Sequence, residues 1–160
     1  MTSRRDRADA AQGFTLIELV TVIVIGGILA AVAGPRFFTQ SDFSQRGYTE
    51  ELGAALRLAQ KAAVASDCPA QVTLTASTYA VAQQAVSGNT CNTSGGWSTA
   101  IVGLDGQAVS GTAPTGITVS PAGVFVFNGT GGLTQSSAIS LAIGTDTITV
   151  DPMTGYVQVN

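Results

Sequence analysis

The sequence contains no histidine, and only 11% of its residues are charged. The missing histidine removes the commonest general base, the Ser-His-Asp and Cys-His arrangements that depend on it, and the usual nitrogen ligand of zinc. With 160 residues, the chain is long enough for one folded domain. Because no site in the remaining sequence looks catalytic either, we expect a protein that is not an enzyme.

Positive charge is missing from most of the chain. No Lys or Arg follows Lys61, and from Ala62 to Asn160 the charged residues are four isolated aspartates: Asp67, Asp105, Asp146 and Asp151. A nucleic-acid surface needs several cations on one face, and a calcium site needs several clustered oxygen ligands. We therefore expect no nucleic-acid partner, no metal and no cofactor.

The chain does have a long apolar run near its start, GFTLIELVTVIVIGGILAAVAGPRFF, from Gly13 to Phe38. Residues 14–35 would form a helix of about 33 Å, which can cross a bilayer core of about 30 Å. Three arginines precede the run, so we expect the N-terminus to stay in the cytoplasm and the rest to be exported. The sequence thus predicts a transmembrane helix over residues 14–35.

Glu18 lies inside this run, where an unpaired carboxylate costs roughly 2.5 kcal/mol or more. An ordinary secretory signal is one alternative, because Ala31-Val32-Ala33 fits its cleavage site and would release a soluble periplasmic binding protein beginning at Gly34. A glutamate is a poor choice in a segment meant only to enter lipid. The helical pattern also continues beyond that site. Both features favour a helix that is retained.

The continuation is an amphipathic helix over residues 36–66. One face of it carries Leu52, Ala55, Leu56, Ala59, Ala62 and Ala63, and the opposite face carries Arg46, Glu50, Arg57 and Lys61. This spacing is typical of a helix that packs one stripe against a core. Pro35 removes a backbone donor and disfavours helical geometry at Gly34, so we expect the helix to kink or locally melt there.

The apolar run resembles the class III signal of type IV prepilins and type II secretion pseudopilins. The likeness consists of the Gly-Phe junction, Thr-Leu-Ile-Glu, an apolar helix and a proline at its outer end. It implies that a membrane-embedded prepilin peptidase cuts after Gly13 and N-methylates Phe14. Residues 1–13 are then a leader peptide, and the apolar helix stays attached because the cut precedes it.

The resemblance also implies a role for Glu18, the fifth residue of the mature chain. Its carboxylate would meet the α-amine of Phe14 in a neighbouring subunit and fix the axial register, since opposite charges in contact compensate much of their desolvation. Alternatively, Glu18 reaches the lipid headgroups, being one turn from the start. Thr15 is expected to satisfy local backbone, with a weak part in assembly. The implied partners are other pilin subunits, the peptidase and an inner-membrane assembly platform.

After Ser66 the pattern changes to short β runs separated by Gly, Ser, Thr, Pro and Asn. The predicted strands are 71–75, 78–82, 116–119, 124–127, 139–143, 147–150 and 156–159, with loops at 86–98 and 103–115. We therefore predict an α+β, pilin-like fold, in which a long N-terminal helix packs on an antiparallel sheet or small β-sandwich over residues 67–160.

RLAQKAAVASDCPAQVTL, with VFVFNGTGG and the closing hairpin, is similar to minor-pilin domains of GspH/FimT type. PRFF and AQKAAVASDC are most like MshC-type minor prepilins of mannose-sensitive haemagglutinin pili. The resemblance implies a minor subunit that primes or caps a type IV pilus. It would cross the bacterial inner membrane once with a periplasmic domain, and would be extracellular or periplasmic once in a filament. A minor type II secretion pseudopilin and a DNA-uptake pilin are the alternatives.

Two cysteines, Cys68 and Cys91, bracket the first predicted hairpin. In an exported domain a disulfide is the expected state, and closing this loop would stabilise the fold by about 3 kcal/mol. Two buried free thiols are the alternative. A redox site is disfavoured because the spacing is not Cys-x-x-Cys.

Overall fold

The computed structural model of the chain describes residues 14–87, 90–92 and 94–160, without the side chains of residues 32–40 and 86–87. The described residues fall into two compact units, one ending at Gln40 and one from Ser41 to Asn160. The predicted leader, including Gly13 at the expected cleavage junction, lies outside the described residues.

Helix α1 spans Leu16–Ser66. Gly34 and Pro35 lie within this range, so the local melting expected there is not seen in the backbone, while a kink at these residues stays a prediction. In the second unit the predicted stripe is confirmed. Leu52, Ala55, Leu56, Ala59 and Ala63 are buried and Ala62 is half-buried. Helical periodicity places these residues on one side, so their burial shows which side of α1 faces the core.

The strands of the second unit form two larger antiparallel sheets and one short hairpin. In chain order they are β1 Ala70–Leu74, β2 Thr78–Gln83, β3 Val86–Ser87, β4 Thr90–Cys91, β5 Thr99–Ala100, β6 Ser110–Thr112, β7 Val119–Ser120, β8 Gly123–Phe127, β9 Ile139–Ile143, β10 Asp146–Val150 and β11 Val157–Val159. Sheet one has the order β5-β2-β1-β8, with β6 also paired to β2. Sheet two has the order β11-β10-β9-β7, and β3 pairs with β4. The predicted α+β class with antiparallel sheets is confirmed.

A single core joins α1 to both sheets. Strands β1 and β9 alternate between buried and less buried positions, as expected for strands with one covered face. The largest fully buried side chains come from the helix and from both sheets: Leu52, Leu56, Val72, Phe127, Leu141, Ile143 and Ile148. The small alanines of α1 allow the helix backbone to approach these layers closely.

Several short strands differ from the sequence-based prediction. Strands β3, β4 and β6 lie within segments predicted as loops, and β5 was not predicted at all. These strands are two or three residues long and rich in Ser, Thr and Gly, so no alternating apolar pattern marks them. Strands β5 and β6 form because β2 offers an open edge, which is a tertiary cause that local sequence does not reveal.

Candidate functional site

Helix α1 begins with reciprocal hydrogen bonds between Thr15 and Glu18. The Thr15 backbone N–H and hydroxyl donate to Glu18 Oε2 at 3.1 and 3.0 Å, and the Glu18 N–H donates to the Thr15 hydroxyl at 3.3 Å. This is a capping box, with Thr15 as the N-cap and Glu18 at the third helical position. It satisfies backbone donors that the first turn would otherwise leave unpaired. Glu18 thus has a local structural role in addition to any contact with a partner.

Sequence reasoning assigned Thr15 only a weak role and did not identify the box. The signal was present, because Thr-x-x-Glu before an apolar run is a capping-box pattern. Both bonds that Glu18 accepts end on Oε2, and its Oε1 receives no hydrogen bond from any described residue. One carboxylate oxygen is therefore held by the helix start while the other stays available.

The helix segment after the box exposes large apolar side chains. From Phe14 to Ala31 every described residue is exposed. Ten of these side chains are more than half exposed: Phe14, Leu16, Ile17, Leu19, Val22, Ile23, Val24, Ile25, Ile28 and Leu29. A helix that is apolar on all sides is normally covered by lipid or by other helices.

Within the part of the chain that the structure describes, no helix combines the length and the apolarity that a membrane crossing requires. The predicted span is 14–35, and the side chains of its residues 32–35 lie outside the described set.

The C-terminal end of α1 is fixed to sheet one. Asp67 has a positive φ of 53°, and the Cys68 N–H donates to the Ala63 carbonyl at 3.2 Å, which closes the helix as in a Schellman motif. The buried Gln83 side chain donates to the carbonyls of Ala62 at 3.3 Å and Cys68 at 3.0 Å, and also bonds the Ser66 hydroxyl. Gln83 thus satisfies polar groups that end the helix inside the core.

A second polar contact joins the middle of α1 to β2. The Tyr79 hydroxyl donates to Glu51 Oε1 at 2.5 Å, and the Tyr48 ring lies 6.2 Å from the Tyr79 ring, centroid to centroid. Burial, followed by the neighbouring Glu51 carboxylate, raises the pKa of Tyr79, and the same two causes raise the pKa of Tyr48. A Cβ at Gly111 would strike both Tyr79 and Glu51, so this position requires glycine. The cluster fixes the helix on the sheet and holds its tyrosines neutral.

Cys68 and Cys91 form the expected disulfide, with their Cα atoms 5.4 Å apart. The bond links Cys68, the second residue after the end of α1, to Cys91 of strand β4. The alternative of free thiols is excluded for this pair. The disulfide closes the loop that contains the β1–β2 hairpin, so it has a structural role.

The described residues contain no group of three or more Cys, Asp or Glu placed to hold a metal ion. A cleft of about 390 Å³ lies between α1 and the ends of β10 and β11, lined by Arg46, Thr49, Glu50, Asp146, Val159 and Asn160. Its Thr49 hydroxyl already donates to the Gln45 carbonyl at 2.9 Å and to Asp146 at 3.2 Å. The second of these bonds joins α1 to the start of β10.

Two protein-family models match the chain. The prokaryotic N-terminal methylation motif matches residues 9–34, and the model for type II transport protein GspH matches residues 48–157, more than half of the chain. The first match includes the capping box and the exposed apolar segment. The second match includes the C-terminal part of α1 and nearly all the strands.

Two known proteins are similar to parts of the chain. The type IV narrow pilus major component PilA5 of Thermus thermophilus is 51% identical over 49 residues, which are 31% of this chain and 42% of that protein. The match therefore spans less than half the length of this relative. The crystal structure of the type IV minor pilin FimU of Pseudomonas aeruginosa superposes with a TM-score of 0.50 at 14% identity, over 72% of this chain and 91% of that one. This likeness confirms the pilin-like fold.

Proposed function

Because the chain belongs to the type II transport protein GspH family and carries the N-terminal methylation motif, we propose that it is a structural minor pilin subunit and not an enzyme. It would prime or cap assembly of a type IV pilus, as a subunit among other pilins. The observation that carries the proposal is the capped Glu18 at the start of an apolar helix segment whose side chains from Phe14 to Ala31 are exposed in the described part of the chain.

Processing is the first step of the proposed function. Prepilin peptidase would cut between Gly13 and Phe14 and N-methylate Phe14, removing residues 1–13. The methylation motif over residues 9–34 supports this, because it includes the junction. Mass spectrometry of the mature N-terminus tests it. We expect methylated Phe14, whereas an unmodified Gly34 would show that an ordinary signal was removed after Ala33.

The proposed domain organisation follows from the cut. Residues 14–35 would be the membrane and assembly helix, 36–66 its amphipathic continuation, and 67–160 the periplasmic β domain. The subunit would wait in the inner membrane until an assembly platform extracts it into a filament. Exposed aliphatic side chains between Phe14 and Ala31 support this, because burying them in lipid or among neighbouring helices is favourable.

Glu18 is the proposed recruitment residue. In the subunit its Oε2 is held by Thr15, which leaves Oε1 to accept a hydrogen bond from the α-amine of Phe14 in a neighbouring subunit. A pair of this kind lowers the cost of placing either charge in lipid. The capping box orients the carboxylate before the partner arrives.

The substitution Glu18→Gln tests the negative charge of residue 18 without removing the helix cap. A glutamine at this position keeps a capping box, because Gln serves there as well as Glu, while the negative charge is lost. We expect the Glu18→Gln subunit to accumulate in the membrane and to be recovered in sheared filaments at about one tenth of the wild-type level or less, which corresponds to about 1.4 kcal/mol.

Glu50→Gln is the matched control, since Glu50 is an exposed acid on the same helix. It should enter filaments at the wild-type level. Equal recovery of wild type and Glu18→Gln would overturn the charge-pairing proposal.

A minor pseudopilin of a type II secretion system is the second candidate, and the family description favours it specifically. Deleting the chromosomal copy distinguishes the two. Loss of surface filaments supports the pilus, and loss of secreted enzymes with filaments intact supports the secretion system. Within pili, an MSHA-type, MshC-like role is the finer proposal. DNA uptake is disfavoured because residues 62–160 contain no cation, and a gel shift would test it.

A further inference from the structure

The loop that follows β8 contains the dipeptide Asn128-Gly129. Of the four asparagines in the chain, Asn89 and Asn92 are followed by threonine, and Asn128 is followed by glycine. The backbone nitrogen of a following glycine attacks an asparagine amide most readily, because glycine has no side chain to shield that nitrogen. Packing requires this glycine, since a Cβ at Gly129 would strike the Asp67 carboxylate. The fold therefore keeps a chemically reactive pair at the end of β8.

The side-chain oxygen of Asn128, Oδ1, accepts three hydrogen bonds from its own loop. The Thr130 N–H donates to it at 3.0 Å, the Thr130 hydroxyl at 2.6 Å and the Gly132 N–H at 3.1 Å. Backbone bonds from Asn128 N to Gly132 O at 2.8 Å and from Gly131 N to Asn128 O at 2.9 Å hold the loop in shape. The amide is thus fixed in one position, and three donors polarise its carbon, Cγ.

Both the attacking nitrogen and water have access to this amide. The Gly129 N–H donates a hydrogen bond to no residue within the part of the chain that the structure describes. Asn128 and Gly129 are half-buried and Thr130 is exposed, so solvent reaches the loop. A bond from Gly129 N to Asn128 Cγ closes a five-membered ring, which needs no movement of the neighbouring strands. The loop therefore brings together a nucleophile, a polarised amide and water.

We propose that Asn128 is a site of spontaneous deamidation, which the folded loop promotes. Gly129 N loses its proton to solvent and attacks Asn128 Cγ, so that a C–N bond forms and negative charge develops on Oδ1, where the three donors stabilise it. The bond from Cγ to Nδ2 then breaks, and Nδ2 leaves with a proton as ammonia. Water opens the resulting succinimide at Cγ, which leaves the peptide bond intact and a carboxylate at position 128. One water is consumed and one ammonia is released.

The loop suits the carboxylate product better than the amide. All three groups bonded to Oδ1 are donors, and hydrogen bonds to a carboxylate are stronger than those to a neutral amide oxygen. The Asp67 carboxylate beside Gly129 opposes a second negative charge. Asp67 is exposed, however, and water and salt screen the repulsion between exposed charges. The conversion therefore tightens the loop.

A tighter loop strengthens a junction between α1 and both sheets. The Gln60 side chain donates to the Gly131 carbonyl at 3.3 Å, and the Leu133 N–H donates to the Pro152 carbonyl of the β10–β11 turn at 2.8 Å. A Cβ at Gly155 would strike the Gly131 carbonyl, so the loop and the turn meet backbone to backbone. Deamidation thus acts on the stability of the second unit, and the inference does not depend on the proposed function.

Peptide mapping of the purified full chain in detergent tests the inference. The native chain is incubated at neutral pH in water enriched in heavy oxygen, and mass spectrometry follows the replacement of each amide by a labelled carboxyl group. We expect Asn128 to convert about ten times faster than Asn92, an exposed asparagine whose following β-branched threonine shields the attacking nitrogen. If Asn128 remains an amide, or converts only once the chain is unfolded, the inference is overturned.

Removing one donor measures the contribution of the loop. Thr130→Ala loses the hydroxyl bond to Oδ1, while Thr130→Ser keeps it, and the position is exposed, so both variants should fold. We expect conversion to be about ten-fold slower in Thr130→Ala, a smaller loss than in a closed active site because water can replace the hydroxyl. Thr130→Ser should keep the wild-type rate. An equal or faster rate in Thr130→Ala would mean that the hydrogen bonds restrain Asn128, and would overturn the inference.

The substitution Asn128→Asp installs the product directly. Its ratio of folded to unfolded protein at neutral pH should rise about ten-fold, because the charged oxygen strengthens the bonds that it accepts. Asn92→Asp adds the same charge outside the loop and should leave the ratio unchanged. The labelled product should be aspartate, since isoaspartate would insert a methylene group into the main chain that the bonds of Asn128 N and O hold. An unchanged or lower ratio for Asn128→Asp, or isoaspartate as the main product, contradicts the inference.

Discussion

Two segments of helix α1 differ in the burial of their apolar side chains. In residues 16–31 the side chains are large, among them Ile17, Leu19 and Ile23, and they are exposed. In residues 48–63 the buried side chains are two leucines and three alanines together with Tyr48 and Thr49, and Leu52, Leu56 and Ala59 are almost fully buried. The segment 48–63 packs against strands of its own chain. The side chains of residues 16–31 are exposed.

The two segments also differ in the number and position of their charged residues. Residues 48–63 contain four charged residues, of which Glu50 and Lys61 are exposed while Glu51 and Arg57 bond groups of the strands, so their apolar stripe is narrow. Residues 16–31 contain Glu18 as their single charged residue, and that carboxylate is bonded to Thr15. An amphipathic helix such as 48–63 is typical of a domain surface. A helix that is apolar on all sides, such as 16–31, is typical of a nonpolar environment.

Truncating one leucine in each segment should give the largest difference in the free energy of unfolding. Leu56→Ala removes a buried side chain, and we expect it to lower the free energy of unfolding by about 3 kcal/mol. Leu19→Ala removes an exposed one, and its effect should stay below about 0.5 kcal/mol. Denaturation of the full chain in detergent, followed by the fluorescence of the single tryptophan Trp97, measures both. A large loss for Leu19→Ala would mean that its segment is packed within the monomer.

Replacing an alanine by the larger leucine in each segment tests the same difference in burial. Ala59 is fully buried under the sheets, so Ala59→Leu should cost about 2 kcal/mol through overpacking. Ala30 is exposed, so Ala30→Leu should leave the unfolding free energy unchanged. The same denaturation assay reports both. If Ala59→Leu is neutral, the close approach of helix and sheet described above is wrong.

The smallest expected effect concerns the polar contact of the second segment. Because the pKa of Tyr79 is raised in the folded state, the unfolded chain loses this proton first, near its ordinary value of about 10. Stability supplied by the neutral tyrosine is therefore fully present below about pH 10 and is lost as the pH rises toward the folded-state pKa.

Tyr79→Phe should make the loss of stability above about pH 10 shallower without removing it, since the pKa of Tyr48 is raised as well. Unfolding free energies measured between neutral pH and pH 11 give the slope. Tyr156→Phe, at an exposed tyrosine, is the control and should keep the wild-type slope. A Tyr79→Phe slope equal to that of wild type would contradict the assignment.

Much of the fold could be predicted from the sequence because the patterns are local. The stripe through Leu52 and Leu56 follows from helical spacing, and Ile139–Ile143 follows from strict alternation. The capping box could also have been predicted, since its pattern is Thr-x-x-Glu. The short strands β5 and β6 could not, because their few Ser, Thr and Gly residues become strands only beside β2.

The sequence by itself determined an apolar helix with one acid at its start, an amphipathic continuation, a β-rich second half without cations, and the two cysteines available for pairing. These properties depend on residue type and short-range spacing. Only the tertiary structure decided that Gln83 caps the end of the helix, that Tyr79 meets Glu51, and that β5 and β6 both pair with β2. Each of these joins residues far apart in the chain, and strand register and packing place them together.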